Sequence, residues 1–474
     1  MSVNTDVAQS STSIDHAGLA FATICTGALM VVLDSTIVMI ALPSIGRDLQ
    51  ISTGSLSWLL NAYMLTFGGA LLLAGRLADL YGTRRLLLIG VSAFSLASLA
   101  CGLSSSATIL IGSRAAQGLA GACVMAVALS LIVRLFPTRE GRARALGVYG
   151  AVCTLGNTVG ALLGGILISI LNWHWIFLVN VPLGMLLLLM CRSLLPDDTI
   201  RAPAHTLDIG GALTLTLGTG LVVYILSVPD SNWPITAVSS VAMFALFGVI
   251  ERRASHPIVP PGALGLSTFR SASVIALLWA AGSYGGFTIA ALYMQRTLGC
   301  TPLEMSLYFL PNTVLGAVVS VTGSKYLVGR YGAALPTWVG ILLFAAGLAW
   351  LSHPPSTRFL TNILPAMILL GLGDGIGSGP LLVAALEGVS EEHSGIASGV
   401  INTAWVLGGA FGIAGCLGVS ELWVQYHSDG LPIAVAGSGY GMAFAFGACV
   451  TACAALCAAL SFRKNIVATR ESPE

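Results

Sequence analysis

The stretch Gly75-Arg76-Leu77-Ala78-Asp79-Leu80-Tyr81-Gly82-Thr83-Arg84-Arg85 separates two apolar segments, roughly 56–74 and 86–103, neither of which contains a charge. A connection this short makes the flanking helices antiparallel neighbours. Its acid and its arginines therefore sit together at one membrane face.

The same alternation of apolar run and short polar connection fills the chain. Hydrophobic residues make up 56% of it and charged residues 9%, where a soluble domain carries about 25% charge. A membrane-spanning helix needs about 20 apolar residues. Fourteen such runs are present, near 17–42, 55–75, 86–103, 108–132, 145–171, 176–195, 209–228, 235–250, 272–293, 304–323, 334–352, 361–385, 395–420 and 439–462. Backbone polar groups in lipid must be satisfied within the chain, so these runs are helices rather than open strands. The expected class is an all-α membrane protein. The first 16 residues are polar and carry no Lys or Arg. They lack the marks of a cleavable signal, which makes the first run a retained anchor and first span.

Orientation follows from the basic residues. With the N-terminus inside, the inner connections and tail hold seventeen of the 21 Lys and Arg. The outer connections hold only Arg47, Arg296 and Arg358, and Arg114 lies within a span. Both termini are expected in the cytoplasm. Arginine outnumbers lysine 19 to 2, which hints at a GC-rich bacterial genome and nothing more specific; the expected location is a bacterial cytoplasmic membrane. The net charge of +1 says nothing about nucleic acid, and with no basic patch of interleaved aromatics no nucleic-acid partner is expected.

Of ten cysteines only Cys300 falls in an outer connection, so no disulfide framework is expected. Cys449, Cys453 and Cys457 recur every four residues and read as small packing residues rather than as a metal stripe. The seven histidines fall in the tail, in connections or at span ends. No catalytic or metal-binding constellation emerges, and no enzyme activity is expected.

A weak repeat aligns Leu77-Ala78-Asp79-Leu80-Tyr81-Gly82 with Leu327-Val328-Gly329-Arg330-Tyr331-Gly332. The acid belongs to the first copy alone. Transporter folds are commonly built from such repeats, with the substrate site at their interface. The expected organisation is a six-helix bundle over 1–195, two inserted helices over 196–256, and a second six-helix bundle over 257–474.

Charges at mid-membrane are rare and cost about 2.5–3.5 kcal/mol each on insertion scales. Three occur here: Asp34 in the first span, Arg114 in the fourth and Asp374 in the twelfth. Asp34 could be a static partner for a polar group or a titrating one, and Arg114 admits the same two readings. Asp374 lies in Gly371-Leu372-Gly373-Asp374-Gly375-Ile376-Gly377-Ser378-Gly379-Pro380. A phosphate-cradling loop would need a preceding strand, which is absent from the pattern. Glycines at every second position instead let helices approach closely.

The pattern G-x-L-A-D-x-x-G-x-R-R at 75–85 resembles the loop after the second helix in transporters of the major facilitator superfamily. Four more motifs sharpen the resemblance. The first span reads Leu33-Asp34-Ser35-Thr36-Ile37-Val38, then Ala41-Leu42-Pro43. The fifth reads Gly156-x-x-x-Gly160-Ala161-x-x-Gly164-Gly165. The sixth opens with Trp173-His174-Trp175-Ile176-Phe177-Leu178-Val179-Asn180-Val181-Pro182-Leu183-Gly184, and the seventh with Leu207-Asp208-x-Gly210-Gly211. With fourteen spans, the set resembles the drug:proton antiporter branch, whose members export antibiotics, dyes and antiseptic cations.

The resemblance implies the major facilitator fold, with two six-helix bundles plus two inserted helices. It implies a central cavity lined by the first, fourth, ninth and twelfth spans. It implies proton-coupled efflux of hydrophobic or cationic compounds by alternating access, giving drug or antibiotic resistance. The proton gradient serves in place of any cofactor, and the partners are protons, a lipophilic small molecule and the bilayer, with the chain acting as a monomer. Arg114-x-x-Gln117-Gly118 resembles the fourth-helix motif linked to proton transfer, so Asp34 and Arg114 become the proton-coupling residues. Asp374, Trp279, Tyr284 and Trp405 become candidates for the substrate cavity, since an aromatic face attracts lipophilic cations. Gly75, Asp79, Gly82, Arg84 and Arg85 become a gating loop. Its aspartate is expected to meet a helix start in the other half, near Ser394-Gly395.

Two positions depart from the pattern. Ala161 stands where antiporters usually have proline, which keeps open a proton-coupled importer or a metabolite exporter of the same fold. Trp405-Val406 stands where relatives often carry Arg-Gln, which implies a different pocket chemistry. A polytopic membrane sensor or enzyme is the rival from another class.

Overall fold

A computed structural model describes residues 4–51, 53–136, 138–195, 208–227, 232–254, 266–353, 359–386, 391–427 and 434–461. Among the described residues there is no strand. The helices are α1 (Asn4–Asp48), α2 (Thr53–Tyr81), α3 (Thr83–Gly102), α4 (Ala107–Leu135), α5 (Arg139–Ile170), α6 (Trp175–Leu178), α7 (Asn180–Leu194), α8 (Ile209–Ser227) and α9 (Trp233–Arg253). They continue with α10 (Ser267–Leu292), α11 (Pro302–Thr322), α12 (Ser324–Tyr331), α13 (Ala334–Leu351), α14 (Leu364–Leu386), α15 (Glu391–His427) and α16 (Ala434–Ser461). Fourteen helical segments among the described residues are long and apolar enough to cross a membrane, from Gly18–Asp48 to Gly439–Ser461. Each coincides with one of the fourteen apolar runs. The first continues to Asp48 rather than 42, and the thirteenth to Tyr426 rather than 420.

The connection at 75–85 is shorter than its polarity suggests. Arg76 to Tyr81 continue α2 as helix, and only Gly82 separates it from α3. Leu, Ala and Arg favour helix over loop, so charge alone does not end the segment. Gly82 does, with φ 96°, a backbone state open to glycine at little cost. The repeat has a structural counterpart here. Gly332, the partner of Gly82 in the alignment, ends α12 with φ 71°.

Two helices stand apart in the packing. α8 fits along the groove between α2 and α15. Ser57 Oγ donates to Ser227 Oγ at 3.0 Å, and a Cβ at Gly418 would collide with the Leu226 carbonyl. α9 packs on α8, where Ser240 Oγ donates to the Gly218 carbonyl at 2.9 Å. Ser240 is the only buried residue of α9; Ile235, Val238 and Val241 point outward, as suits a helix facing lipid.

The helices before Leu195 meet those after Leu266 along α2 and α15 and at the end of the molecule opposite Gly82. At that end Gln295 Nε2 donates to the Ile40 carbonyl at 2.9 Å, and Ser306 Oγ donates to the Ala161 carbonyl at 2.8 Å. α2 and α15 touch near mid-length, where Thr403 Oγ1 reaches the Gly68 carbonyl at 3.5 Å. Between these contacts the two sets of helices part around a cavity.

Candidate functional site

Asp34 is fully buried on α1, and every partner it has is a donor. Arg114 Nη1 from α4 donates to Oδ2 at 2.6 Å. Gln117 Nε2, also from α4, and Asn180 Nδ2, from the first turn of α7, each donate to Oδ1 at 2.8 Å. Arg114 is 1% exposed, and Asp34, Gln117 and Asn180 are 0% exposed. Unpaired, a buried carboxylate would cost several kcal/mol, so the three donors are what make an ionised Asp34 tolerable here. Arg114 and Asp34 form an ion pair buried at both ends.

Arg114 is itself held on several sides. Its Nε donates to the Leu59 carbonyl of α2 at 3.1 Å, and its Nη1 also donates to Gln117 Oε1 at 2.6 Å. The Tyr63 ring covers the guanidinium with its centroid 4.3 Å from Cζ. Ser98 Oγ of α3 accepts from Gln117 Nε2 at 2.8 Å. Side chains of α1, α2, α3, α4 and α7 thus converge on one charge pair.

The cavity beside this network has a volume of about 420 Å³ and takes wall residues from α1, α2, α4 and α5 on one side and α10, α11, α14 and α15 on the other. Tyr63 and Arg114 form part of its wall, whereas Asp34 lies one side chain behind it. The lining includes Met125 and Ser320, which lie toward the Gly82 end of α4 and α11. The cavity therefore extends toward the end opposite the contacts at Gln295 and Ser306.

Asp374 faces the cavity from α14, together with Tyr284 of α10 and Trp405 of α15. It has no hydrogen bond or ion pair among the described residues. The glycines around it explain how it gets there. Gly371 and Gly375 lie against α11, where an added Cβ would sit 2.6 Å from the Asn312 carbonyl and 2.7 Å from that of Gly316. Gly373 and Gly377 lie against α13 and Trp279, with an added Cβ 2.6 Å from Phe344 N and 2.7 Å from the Trp279 ring. Two glycine rows wedge α14 between its neighbours and leave the face between them, with Asp374, to the cavity. The Gly-rich run is a packing device and no phosphate loop, since helix precedes it rather than strand.

Trp279 departs from its expected place in the cavity. It is 0% exposed and lies behind the wall, edge-on to Phe344 at 6.2 Å and to Trp405 at 5.6 Å between ring centroids. It backs the cavity aromatics without lining it. Of the three mid-membrane charges, Asp34 and Arg114 face each other and Asp374 stands apart on the cavity wall.

The fifth-span motif joins α5 to α1. Added Cβ atoms at Gly156, Gly160 and Gly164 would meet Leu29 at 3.0 Å, the Leu33 carbonyl at 3.1 Å and Ile37 at 3.4 Å. Gly165 turns instead toward Ser306 and Pro302 of α11. In the 75–85 stretch, Gly75 has no neighbour within 4 Å of an added Cβ. Arg84 Nη2 donates to the Arg192 carbonyl at 2.6 Å, near the C-terminal end of α7, where a helix favours a cation. Arg85 is exposed. The expected contact between Asp79 and the helix start near Ser394-Gly395 lies outside the described side chains; α15 itself begins at Glu391. No group of His, Cys, Asp and Glu suited to a metal occurs among the described residues.

Sequence reading sets Gln117 in the motif with Arg114 but gives Asn180 and Tyr63 no place beside Asp34. Asn180 carried the one available signal, a polar residue inside an apolar span and a fixed letter of the Trp-x-Trp-Ile-Phe…Asn-x-Pro run.

Comparison with known proteins gives three kinds of likeness. The family model described as "Major Facilitator Superfamily" matches residues 24–413. The puromycin resistance protein pur8 of Streptomyces alboniger is 38% identical over 88% of this chain and 86% of its own length. The cephamycin export protein CmcT of Amycolatopsis lactamdurans is 34% identical over 89% and 87%. The multidrug resistance protein Stp of Mycobacterium tuberculosis is 33% identical over 84% and 75%. Among solved structures, the nucleoside transporter NupG superposes with a TM-score of 0.66 at 13% identity, covering 94% of this chain and 99% of that one. A bacterial homologue of the human lysosomal transporter Spinster, in an inward-facing conformation, has a TM-score of 0.66 at 16% identity, covering 96% and 97%. These last two show a shared fold.

Proposed function

The chain belongs to the Major Facilitator Superfamily, is a multi-pass membrane protein, and on that premise we propose that it exports hydrophobic or cationic compounds in exchange for protons by alternating access. The carrying observation is the separation of two acids around one cavity. Asp34 sits behind the wall in a network of donors, and Asp374 stands on the wall itself with no hydrogen-bond or ion-pair partner among the described residues. Two costly charges at separate positions suit two cargoes. Asp34 takes the proton and Asp374, beside Tyr284 and Trp405, takes the positive end of a lipophilic substrate. The names of the relatives, which speak of resistance and export, support the outward direction.

The network supports a coupling step. Protonation of Asp34 removes the anionic partner of Arg114, whose guanidinium keeps the Leu59 carbonyl, Gln117 and Tyr63. The tie between α1 and α4 weakens, and the balance between the two openings of the cavity shifts by the difference in binding free energy. The cavity described here extends toward the Gly82 end, and the excess of arginine in the connections at that end supports a cytoplasmic side there. In this reading the chain needs no cofactor beyond the proton gradient and performs no chemistry on its substrate.

Everted membrane vesicles test the proposal. Uptake of a fluorescent lipophilic cation such as ethidium should follow acidification of the lumen and collapse on addition of an uncoupler. Uptake that survives the uncoupler would refute proton coupling, and movement only in the opposite direction would favour an importer.

A further inference from the structure

We propose that Asn180 is the positioning residue that reads the protonation state of Asp34, by turning its amide from donor to acceptor when the carboxylate takes up a proton. The inference rests on the proton-carrier reading of Asp34. Its starting point is an asymmetry between the two amides that hold the carboxylate. Asn180 Nδ2 donates to Asp34 Oδ1 at 2.8 Å, while Asn180 Oδ1 is buried and has no hydrogen-bond partner among the described residues. Gln117 donates to the same oxygen at 2.8 Å, but its own Oε1 accepts from Arg114 Nη1 at 2.6 Å.

The two amides therefore have different freedom. Arginine has donors only and is never deprotonated in proteins. Turning the Gln117 amide would aim its NH₂ at the guanidinium, donor against donor, so Arg114 locks Gln117 in place. No described residue holds the oxygen of Asn180. An ionised carboxylate accepts only, so Asn180 must present its NH₂ to it. A protonated carboxyl carries one O–H that needs an acceptor. With Gln117 locked, the acceptor at hand is Asn180 Oδ1. A half-turn of the amide brings it to Asp34 and leaves the NH₂ without its former partner, an exchange of one unmet group for another.

The proton balance is simple. One proton enters, the carboxylate becomes a neutral carboxyl, and Arg114 keeps its charge. The charged or titratable groups that face Asp34 and its donors are Arg114 from α4, Tyr63 from α2 and Cys101 from α3, the last with its Sγ 3.8 Å from Gln117 Oε1. α7 contributes the neutral Asn180. The half-turn acts at the start of α7, next to Val179, whose helical backbone (φ −60°, ψ −27°) runs α6 and α7 on as one span over Trp175–Leu194. The protonation state is thereby passed from α1 to α7.

Infrared difference spectroscopy on the reconstituted full-length protein, with isotopically labelled asparagine, separates the outcomes. A pH step should produce a protonated-carboxyl band that is absent in Asp34→Asn. A labelled amide-carbonyl band should shift with the same titration midpoint and vanish in Asn180→Leu. In transport, Asn180→Leu should lose roughly ten- to hundredfold in proton-driven efflux, the scale of one hydrogen bond to a charged group. Substrate–substrate exchange, which needs no proton, should be retained. An Asp34 carboxyl band that titrates while no Asn180 band moves would overturn the switch and leave the proton carrier standing. Absence of any Asp34-dependent carboxyl band would overturn both. Wild-type proton-driven efflux in Asn180→Leu would also overturn the switch, whatever the spectra show for Asp34.

Discussion

Replacing Arg114 by leucine should damage the protein more than replacing Asp34 by asparagine, and the second change should relieve the first. Arg114→Leu removes the bonds to Asp34 and Gln117 at 2.6 Å, the bond to the Leu59 carbonyl at 3.1 Å, and the Tyr63 stack at 4.3 Å. It leaves a carboxylate that is 0% exposed without a cation. Breaking a buried pair from one side costs about 3–5 kcal/mol. Asp34→Asn is milder, about 1–3 kcal/mol. The guanidinium keeps Leu59, Gln117 and Tyr63, and the new amide oxygen can accept from it. The double variant Asp34→Asn/Arg114→Leu has no buried charge, so it should be more stable than Arg114→Leu alone by about 2 kcal/mol or more. The assay is thermal melting of the detergent-solubilised protein, followed by the fraction that stays monodisperse. The expected order of stability is wild type, Asp34→Asn, double variant, Arg114→Leu. Losses that simply add in the double variant would refute the reasoning, because they would mean that the two side chains do not interact. Arg114→Lys separates stability from function. It keeps the charge but not the planar array that reaches Asp34, Gln117 and Leu59 together, so it should melt near wild type and fail in transport.

Other expectations follow from the cavity and its packing. Asp374→Asn should weaken efflux of ethidium more than efflux of a neutral dye such as Nile red, measured side by side in the same vesicles; an equal loss would remove the cation role. Gly373→Ala should destabilise by about 1–3 kcal/mol, the usual range for overpacking, since its Cβ would press on Phe344 N and the Gly340 carbonyl. Gly329→Ala is the matched control: it lies inside α12 with nothing within 4 Å of the added carbon and should be neutral or stabilising by up to about 1 kcal/mol. Melting temperatures of the two variants decide this.

The fourteen spans were legible because lipid imposes one rule, long apolar helices, and the sequence obeys it at nearly every boundary. Asp34 and Arg114 were legible for the converse reason: a charge in such a span is costly enough to stand out. The end of α2 was less legible, since Arg76, Asp79 and Tyr81 look like a loop by polarity yet are compatible with helix, and only the backbone angle of Gly82 marks the break. Aromatic character alone groups Trp279 and Tyr284 as cavity residues. Five residues place them about 140° apart on a helix of 3.6 residues per turn, and the structure puts one behind the wall and the other on it. The role of Asn180 was beyond sequence reading. Its partner is 146 positions away, and an asparagine in an apolar span carries no sign of what it bonds. The two glycine rows of α14 were read correctly as packing, but which neighbour each row meets depends on α11 and α13, whose positions only the fold supplies.

The central claim is that Asp34 carries the proton that drives export. Proteoliposomes holding a pH-sensitive dye test it most directly, by reporting proton flow when substrate is added to one side. Wild-type protein should move protons against the substrate. Asp34→Asn should move none, while ethidium binding, read from quenching of protein fluorescence, stays at the wild-type level. Substrate-driven proton flow through Asp34→Asn that matches wild type would contradict the account.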